Sequence, residues 1–169
     1  MKEILVTGGL GYIGSHTVVQ LIEKNYNVTI VDNLSNSKIF ILDNIEKITG
    51  KRPNYFNIDL TDYNKINSSF SGKKFDGVIH FAAFKSVSES VNHPEKYYHN
   101  NLNSLLNVLR WMKENNNKNI IFSSSCTVYG QPDKLPVSEK SPFKVAESPY
   151  ARTKQISENI IKDCTNSIS

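Results

Sequence analysis

A tyrosine and a lysine four residues apart, Tyr150 and Lys154, follow a Ser148-Pro149 pair that reads as the start of a helix. The spacing puts both side chains on one helical face, within a turn of its positive end. An unperturbed tyrosine titrates near about 10 and is a poor base at neutral pH. A nearby ammonium and the helix dipole both favour the phenolate, so the pair has the composition of a general base. Taken alone, such spacing more often marks a core tyrosine beside a solvent-facing lysine. What raises it is Ser123-Ser124-Ser125 at the end of an apolar run, where the Ser125 hydroxyl would bridge a substrate oxygen and the tyrosine. Nearby Cys126 and Tyr129 read as packing residues, and His16 as an ordinary helix-face residue.

A second constellation lies at the N-terminus. Thr7-Gly8-Gly9-Leu10-Gly11-Tyr12-Ile13-Gly14 stands between the apolar run Ile4-Leu5-Val6 and a helical pattern through Val18, Val19, Leu21 and Ile22. Glycines suit a chain that must turn tightly out of a strand, bring amides close to a pyrophosphate and pack a helix closely on a sheet. A lone Gly-x-Gly-x-x-Gly is weak evidence, but the strand before it, the helix after it and Asp32 at the end of the next apolar run agree on a dinucleotide site. A carboxylate at Asp32 accepts from the ribose hydroxyls and repels the extra phosphate of NADP, which favours NAD. The competing reading of Asp32 is a residue that caps the turn Asn33-Leu34-Ser35-Asn36-Ser37.

These residues need a scaffold that brings strand ends together. Apolar runs at Tyr55-Phe56-Asn57-Ile58, Asp76-Gly77-Val78-Ile79-His80-Phe81 and Asn119-Ile120-Ile121-Phe122 read as further buried parallel strands. Helical stretches are expected at about 38–48, 62–70, 95–115 and 149–163, with Tyr97, Leu102, Leu105, Leu106, Leu109 and Met112 as the apolar stripe of the longest. Residues 115–119 and 131–148 read as loops. The alternation predicts an α/β fold, a doubly wound parallel sheet of Rossmann type over residues 1–169 as one NAD-binding domain. A sheet of this winding calls for one more strand beside the 120–122 run, and only Thr165 to Ser169 remain, so a C-terminal substrate-binding part is expected to be absent from this stretch.

Composition removes other classes. A net charge of +4 is dispersed, with no dense basic block for nucleic acid, and no apolar run approaches a membrane span. Cys126 and Cys164 and the four histidines show no ligand spacing, so no metal is expected. The absence of a signal pattern points to the cytoplasm.

Through the glycine turn and the Tyr150–Lys154 pair the chain resembles the extended short-chain dehydrogenase/reductase family. The runs Asp32 to Ser37, His80 to Lys85, Tyr97 to Asn101 and Phe122 to Gly130 are similar to its nucleotide-sugar 4-epimerases over nearly the whole chain. The resemblance implies NAD contacts by Gly8, Gly11, Tyr12, Ile13, Gly14, Asp32, Asn33, Leu34, Ser35, Asn36, Ser37, Asp59, Leu60, Phe81, Ala82, Ala83, Phe84, Lys85, Asn100, Tyr150 and Lys154. It places Ser125 and Tyr150 against the sugar of a UDP-hexose, and implies hydride removal at C4 and its return to the other face, within a homodimer. Ala83 and Ser88 stand where many relatives have glycine, and Cys126 where a smaller residue is usual. A 4,6-dehydratase would need acidic residues beside the serine run, where Cys126-Thr127 offers none. Another 4-epimerase of the family, or a non-catalytic NAD-binding module, are the alternatives.

Overall fold

The computed structural model describes residues 1–166. Among these, five strands form one sheet: β1 (Glu3–Thr7), β2 (Asn27–Val31), β3 (Asn54–Phe56), β4 (Gly77–His80) and β5 (Ile120–Phe122). Their order is β3-β2-β1-β4-β5 and every pairing is parallel. The winding reverses between β1 and β4, which opens a crevice at the carboxyl ends of those strands. Helices α1 (Tyr12–Glu23), α2 (Phe40–Thr49), α3 (Tyr63–Phe70), α4 (Val87–Asn92), α5 (Pro94–Glu114) and α6 (Pro149–Asn166) connect and flank them. This is the doubly wound Rossmann-type arrangement expected from the alternation of runs.

The period-2 alternation of β1 divides the core. Ile4 and Val6 join Val18 and Ile22 of α1 and Leu42 and Ile45 of α2 on one face. Leu5 points the other way, into a cluster with Ile66 and Phe70 of α3 and Val108, Trp111 and Met112 of α5. Trp111 is fully buried, and its indole N–H donates to the Phe70 carbonyl at 3.2 Å, so the largest side chain of the core leaves no polar atom without a partner.

Three expectations need correction. The runs at β3 and β5 are not buried strands: both carry half-buried or exposed residues, and Ile121 is 65 % exposed. Both lie at the ends of the described sheet, where one flank has no neighbouring strand. The stripe assigned to α5 holds at Tyr97, Leu105 and Met112, which are buried, but Leu106 is exposed, and Val108 and Trp111, which it left out, fill the core. Helix α4 was not anticipated: it is short and serine-rich, and starts where the Ser86 hydroxyl accepts from the Glu89 amide. Residues 131–148 hold no helix or strand, as read.

No described helix is long and apolar enough to cross a membrane. Among the described residues no group of His, Cys, Asp and Glu side chains is placed to hold a metal ion.

Candidate functional site

The turn between β1 and α1 is shaped by what glycine lacks. Gly8 has φ +66°, and a Cβ there would lie 2.8 Å from the Ala82 amide nitrogen after β4. A Cβ on Gly14 would lie 2.2 Å from the Gly8 carbonyl oxygen. Side chains at either position would push α1 away from the sheet. Gly11 is the N-cap of α1, with no capping side chain and no acidic residue in the first turn. The first amides of that helix are therefore left for an anion.

A cleft of about 610 Å³ opens over this turn, within the size range of cofactor sites. Of the cofactor and substrate residues named from the sequence, all but Leu34 line it, including the chain of contacts from Asp32 to Ser37 apart from that leucine. Leu34 adopts φ +60° and packs against the α1–α2 side of the core. That conformation costs a non-glycine residue about 1–3 kcal/mol, against which the Leu34 amide donates to Asp32 Oδ1 at 3.0 Å. Val31, Ile58 and Ser104 also line the cleft and were not named as site residues, and Ser123 and Ser124 of the serine run line it as well. The first two are strand-end apolar residues and carry no chemical signature.

Asp32 serves its own loop and the cleft together. Its carboxylate accepts from Leu10 N at 3.0 Å, Leu34 N at 3.0 Å and the Ser37 hydroxyl at 2.7 Å. The turn-capping role is thus present, and the carboxylate still borders the cleft. Asp59 sits beside it after β3. Partial burial favours the neutral form there, but hydrogen bonds from the Thr61 amide and hydroxyl and from Asn33 hold the carboxyl below its usual range.

At the other end of the cleft, α6 begins where the Ser148 hydroxyl accepts from the Ala151 amide at 3.1 Å. Tyr150 and Lys154 are both buried, 9 % and 5 % exposed, so neither is the solvent-facing residue of a chance Tyr-x-x-x-Lys. Lys154 Nζ lies 6.0 Å from the Tyr150 ring centroid and 4.6 Å from that of Phe122, and donates to the Ser123 carbonyl at 2.6 Å. Burial pushes the ammonium down to about 8, and the Glu158 carboxylate acts against that. Lys154 is therefore mostly charged at neutral pH. Ser125 accepts from the Thr127 amide at 3.3 Å and the Thr127 hydroxyl at 2.9 Å, which leaves its own proton to donate. Cys126, read as a packing residue, is instead exposed, because it opens the 3₁₀ turn Cys126–Tyr129 with its side chain directed away from the core. Tyr129 does pack, edge-on to Phe143 at 6.0 Å.

Two buried polar groups brace the cleft. Asn101 of α5 grips the backbone of Phe84 at both ends, accepting from its amide at 2.8 Å and donating to its carbonyl at 3.0 Å. The same amide group donates to the Thr153 hydroxyl at 3.2 Å, which donates in turn to the Tyr150 carbonyl at 2.7 Å. His80, at the end of β4, pairs with the Thr7 hydroxyl at 2.8 Å and stacks on Phe122. Burial, and secondarily the Lys154 charge, push its imidazole down to about 3 from 6.5. The unfolded chain then binds the extra proton first, so stability contributed by neutral His80 is complete above pH 6.5 and is lost as pH falls toward 3. Urea unfolding at pH 7 and pH 4 should differ by about 3 kcal/mol from this residue, and His80→Gln should shrink that difference.

Comparison with known proteins accords with this geometry. The chain is 47 % identical over 166 residues to a UDP-glucose 4-epimerase of Schizosaccharomyces pombe, covering 96 % of this chain and 46 % of that protein. It is 46 % identical over 160 residues to a UDP-glucose 4-epimerase of Bacillus subtilis, covering 95 % and 47 %. The fold superposes with a TM-score of 0.95 and 44 % identity on UDP-glucose 4-epimerase from Bifidobacterium longum in complex with NAD+ and UDP, covering 98 % of this chain and 49 % of that one. A UDP-Glc/GlcNAc 4-epimerase from Campylobacter jejuni superposes with a TM-score of 0.93 at 34 % identity, covering 99 % and 50 %. The chain spans about half the length of the curated relatives it matches. The family described as GDP-mannose 4,6 dehydratase matches it from residue 5 to residue 169. A match of that extent, on a Rossmann-type sheet with this glycine turn, makes the chain a member of that family.

Proposed function

We propose that this chain carries the NAD site and the catalytic pair of a UDP-glucose 4-epimerase, interconverting UDP-galactose and UDP-glucose. The observation that carries the reading is that one cleft holds both the glycine turn with Asp32 and the buried Tyr150–Lys154 pair. The relatives named UDP-glucose 4-epimerase and the neighbour crystallised with NAD+ and UDP support it.

NAD held there would supply reversible hydride chemistry at C4 of the sugar. The chain's residues do the rest. Amides of the uncapped α1 terminus receive the pyrophosphate, and Asp32 receives the adenosine ribose. Tyr150 lines the cleft, where its phenolate form would take the proton from the sugar O4. The Lys154 ammonium stabilises the charge that Tyr150 carries, and the Ser125 hydroxyl donates to the sugar oxygen.

Dehydration is disfavoured by the same geometry. Among the described residues, the acidic side chains lining the cleft are Asp32 and Asp59, at the β2–β3 side; at the serine end Glu158 accepts from the Ser124 hydroxyl but does not line the cleft. The sugar itself is a finer question: one structural neighbour is named a UDP-Glc/GlcNAc 4-epimerase, so an N-acetylated UDP-hexose is the second reading. We further assign the protein to the cytoplasm and to a homodimer, with Leu102, Leu106 and Leu109 of α5 as the facing stripe, of which Leu106 is 44 % exposed. A monomeric mass by light scattering would count against the dimer.

A coupled assay for both UDP-hexoses tests the reading, run on this chain and on the longest reading frame that contains it, beside a titration of this chain with NAD. Epimerisation by the longer form with NAD binding by this one is the expected result. NAD binding without turnover in either form would leave a non-catalytic cofactor module. Asp32→Ala should reduce the preference for NAD over NADP by about tenfold or more, since a charge that repels the 2′-phosphate is gone. Paired titrations with the two dinucleotides measure it; an unchanged ratio would place the discrimination elsewhere.

A further inference from the structure

The serine end of β5 is fastened to α6 at two points. Lys154 donates to the Ser123 carbonyl, and the Ser124 hydroxyl donates to Oε1 of Glu158. Lys154 and Glu158 are one turn apart on the same helix, so the two fastenings lie in register along it. Ser125 follows directly and turns into the 3₁₀ segment, which means the Ser124 anchor fixes where its hydroxyl starts. A half-buried glutamate on a helix is ordinarily a solvated charge, but this one takes a hydroxyl of the cleft lining as its partner. A hydroxyl-to-carboxylate bond is roughly twice as strong as a neutral one.

The surroundings of Lys154 give Glu158 a second task. On α6 the Tyr150 ring lies 6.0 Å from Lys154 Nζ and Glu158 stands one turn on; from β4 the lysine meets the neutral His80 imidazole, and from β5 the Phe122 ring and the Ser123 carbonyl. Beside the Tyr150 phenol these groups include one carboxylate, that of Glu158. We infer that Glu158 is a positioning residue of the catalytic unit, holding Ser124 so that Ser125 meets the substrate oxygen and placing a carboxylate one helical turn from Lys154. This rests on the reading of Ser125, Tyr150 and Lys154 as that unit.

Two substitutions separate the tasks. Glu158→Gln keeps an acceptor for Ser124 and removes the charge, whereas Ser124→Ala keeps the charge and removes the bond. The titration of Lys154 is followed by NMR through its side-chain carbon on this chain, with the Ser125 and Thr127 amides monitored in the same spectra. In Glu158→Gln the lysine midpoint should fall by about half a unit or more, with the two amides unmoved. In Ser124→Ala the amides should move and the lysine midpoint stay. An unshifted lysine in folded Glu158→Gln overturns the charge role, and unmoved amides in Ser124→Ala overturn the anchoring role. Should Glu158→Gln fail to fold, Ser124→Ala still decides the anchor. NAD titration of the same samples keeps the two readings apart: titrations as expected without NAD binding would overturn the functional reading alone.

Discussion

Tyr150→Phe is expected to lower turnover by about 10²–10⁴-fold while NAD affinity stays within about twofold. The ring is 9 % exposed and Lys154 sits 6.0 Å from its centroid, so the phenylalanine keeps the packing and loses only the hydroxyl. On the proposed reading the substitution removes a proton acceptor used in the transition state and leaves the glycine turn, Asp32 and Lys154 in place. A coupled UDP-hexose assay on the longer reading frame and an NAD titration on this chain measure the two effects. Turnover at the parent rate would remove Tyr150 from the role of base. Loss of NAD binding in step with activity would make it a binding residue.

Gly14→Ala should have the largest effect on the fold. Its new Cβ would lie 2.2 Å from the Gly8 carbonyl oxygen and 2.9 Å from the Gly9 Cα. Both are backbone atoms of the turn, so no flexible side chain exists to yield. Either α1 lifts from the sheet, uncovering Val18 and Ile22, or the turn opens and its amides lose their aim. A loss of about 3 kcal/mol is expected, which for a chain of this size is a fall of about 6–12 °C in Tm, with NAD binding abolished. Calorimetry with and without NAD tests it. A variant that melts normally and binds NAD would show that the turn has slack which the close approach of Gly8 and Gly14 denies.

The contrast between those positions and Glu158 explains what could be read from the sequence. Glycines, strand-end acids and a Tyr-x-x-x-Lys after Ser-Pro are local signals, because the conformation or chemistry they serve is set within a few residues. The five strands were legible for the same reason, as apolar runs between turn signals. Burial depends on neighbours that an apolar run does not name, so the run at β5 reads like a central strand while Ile121 lies exposed. On α5 the dense leucines blur the edge of the buried face, so Leu106 reads as core while Val108 and Trp111, which join Phe70 in the core, do not stand out. Leu34 was carried into the site by its place between Asp32 and Ser37, yet its left-handed backbone turns it to the core. Glu158 and Asn101 carry no local mark at all. A charge or an amide on a helix reads as solvated surface until a partner from elsewhere in the chain, Ser124 or Phe84, is seen to meet it.

Asn101 has a kinetic consequence. Its side chain closes a ring of hydrogen bonds around Phe84 and continues through Thr153 to the helix that carries Tyr150. The segment after β4 is therefore expected to open together with α6, so that deuterium enters the Phe84 amide only when the helix contact opens as well; exchange at Phe84 alone, measured by hydrogen exchange, would count against this. The two walls of the cleft would then open as one unit, and a ligand arriving between them would meet two surfaces already fixed relative to each other.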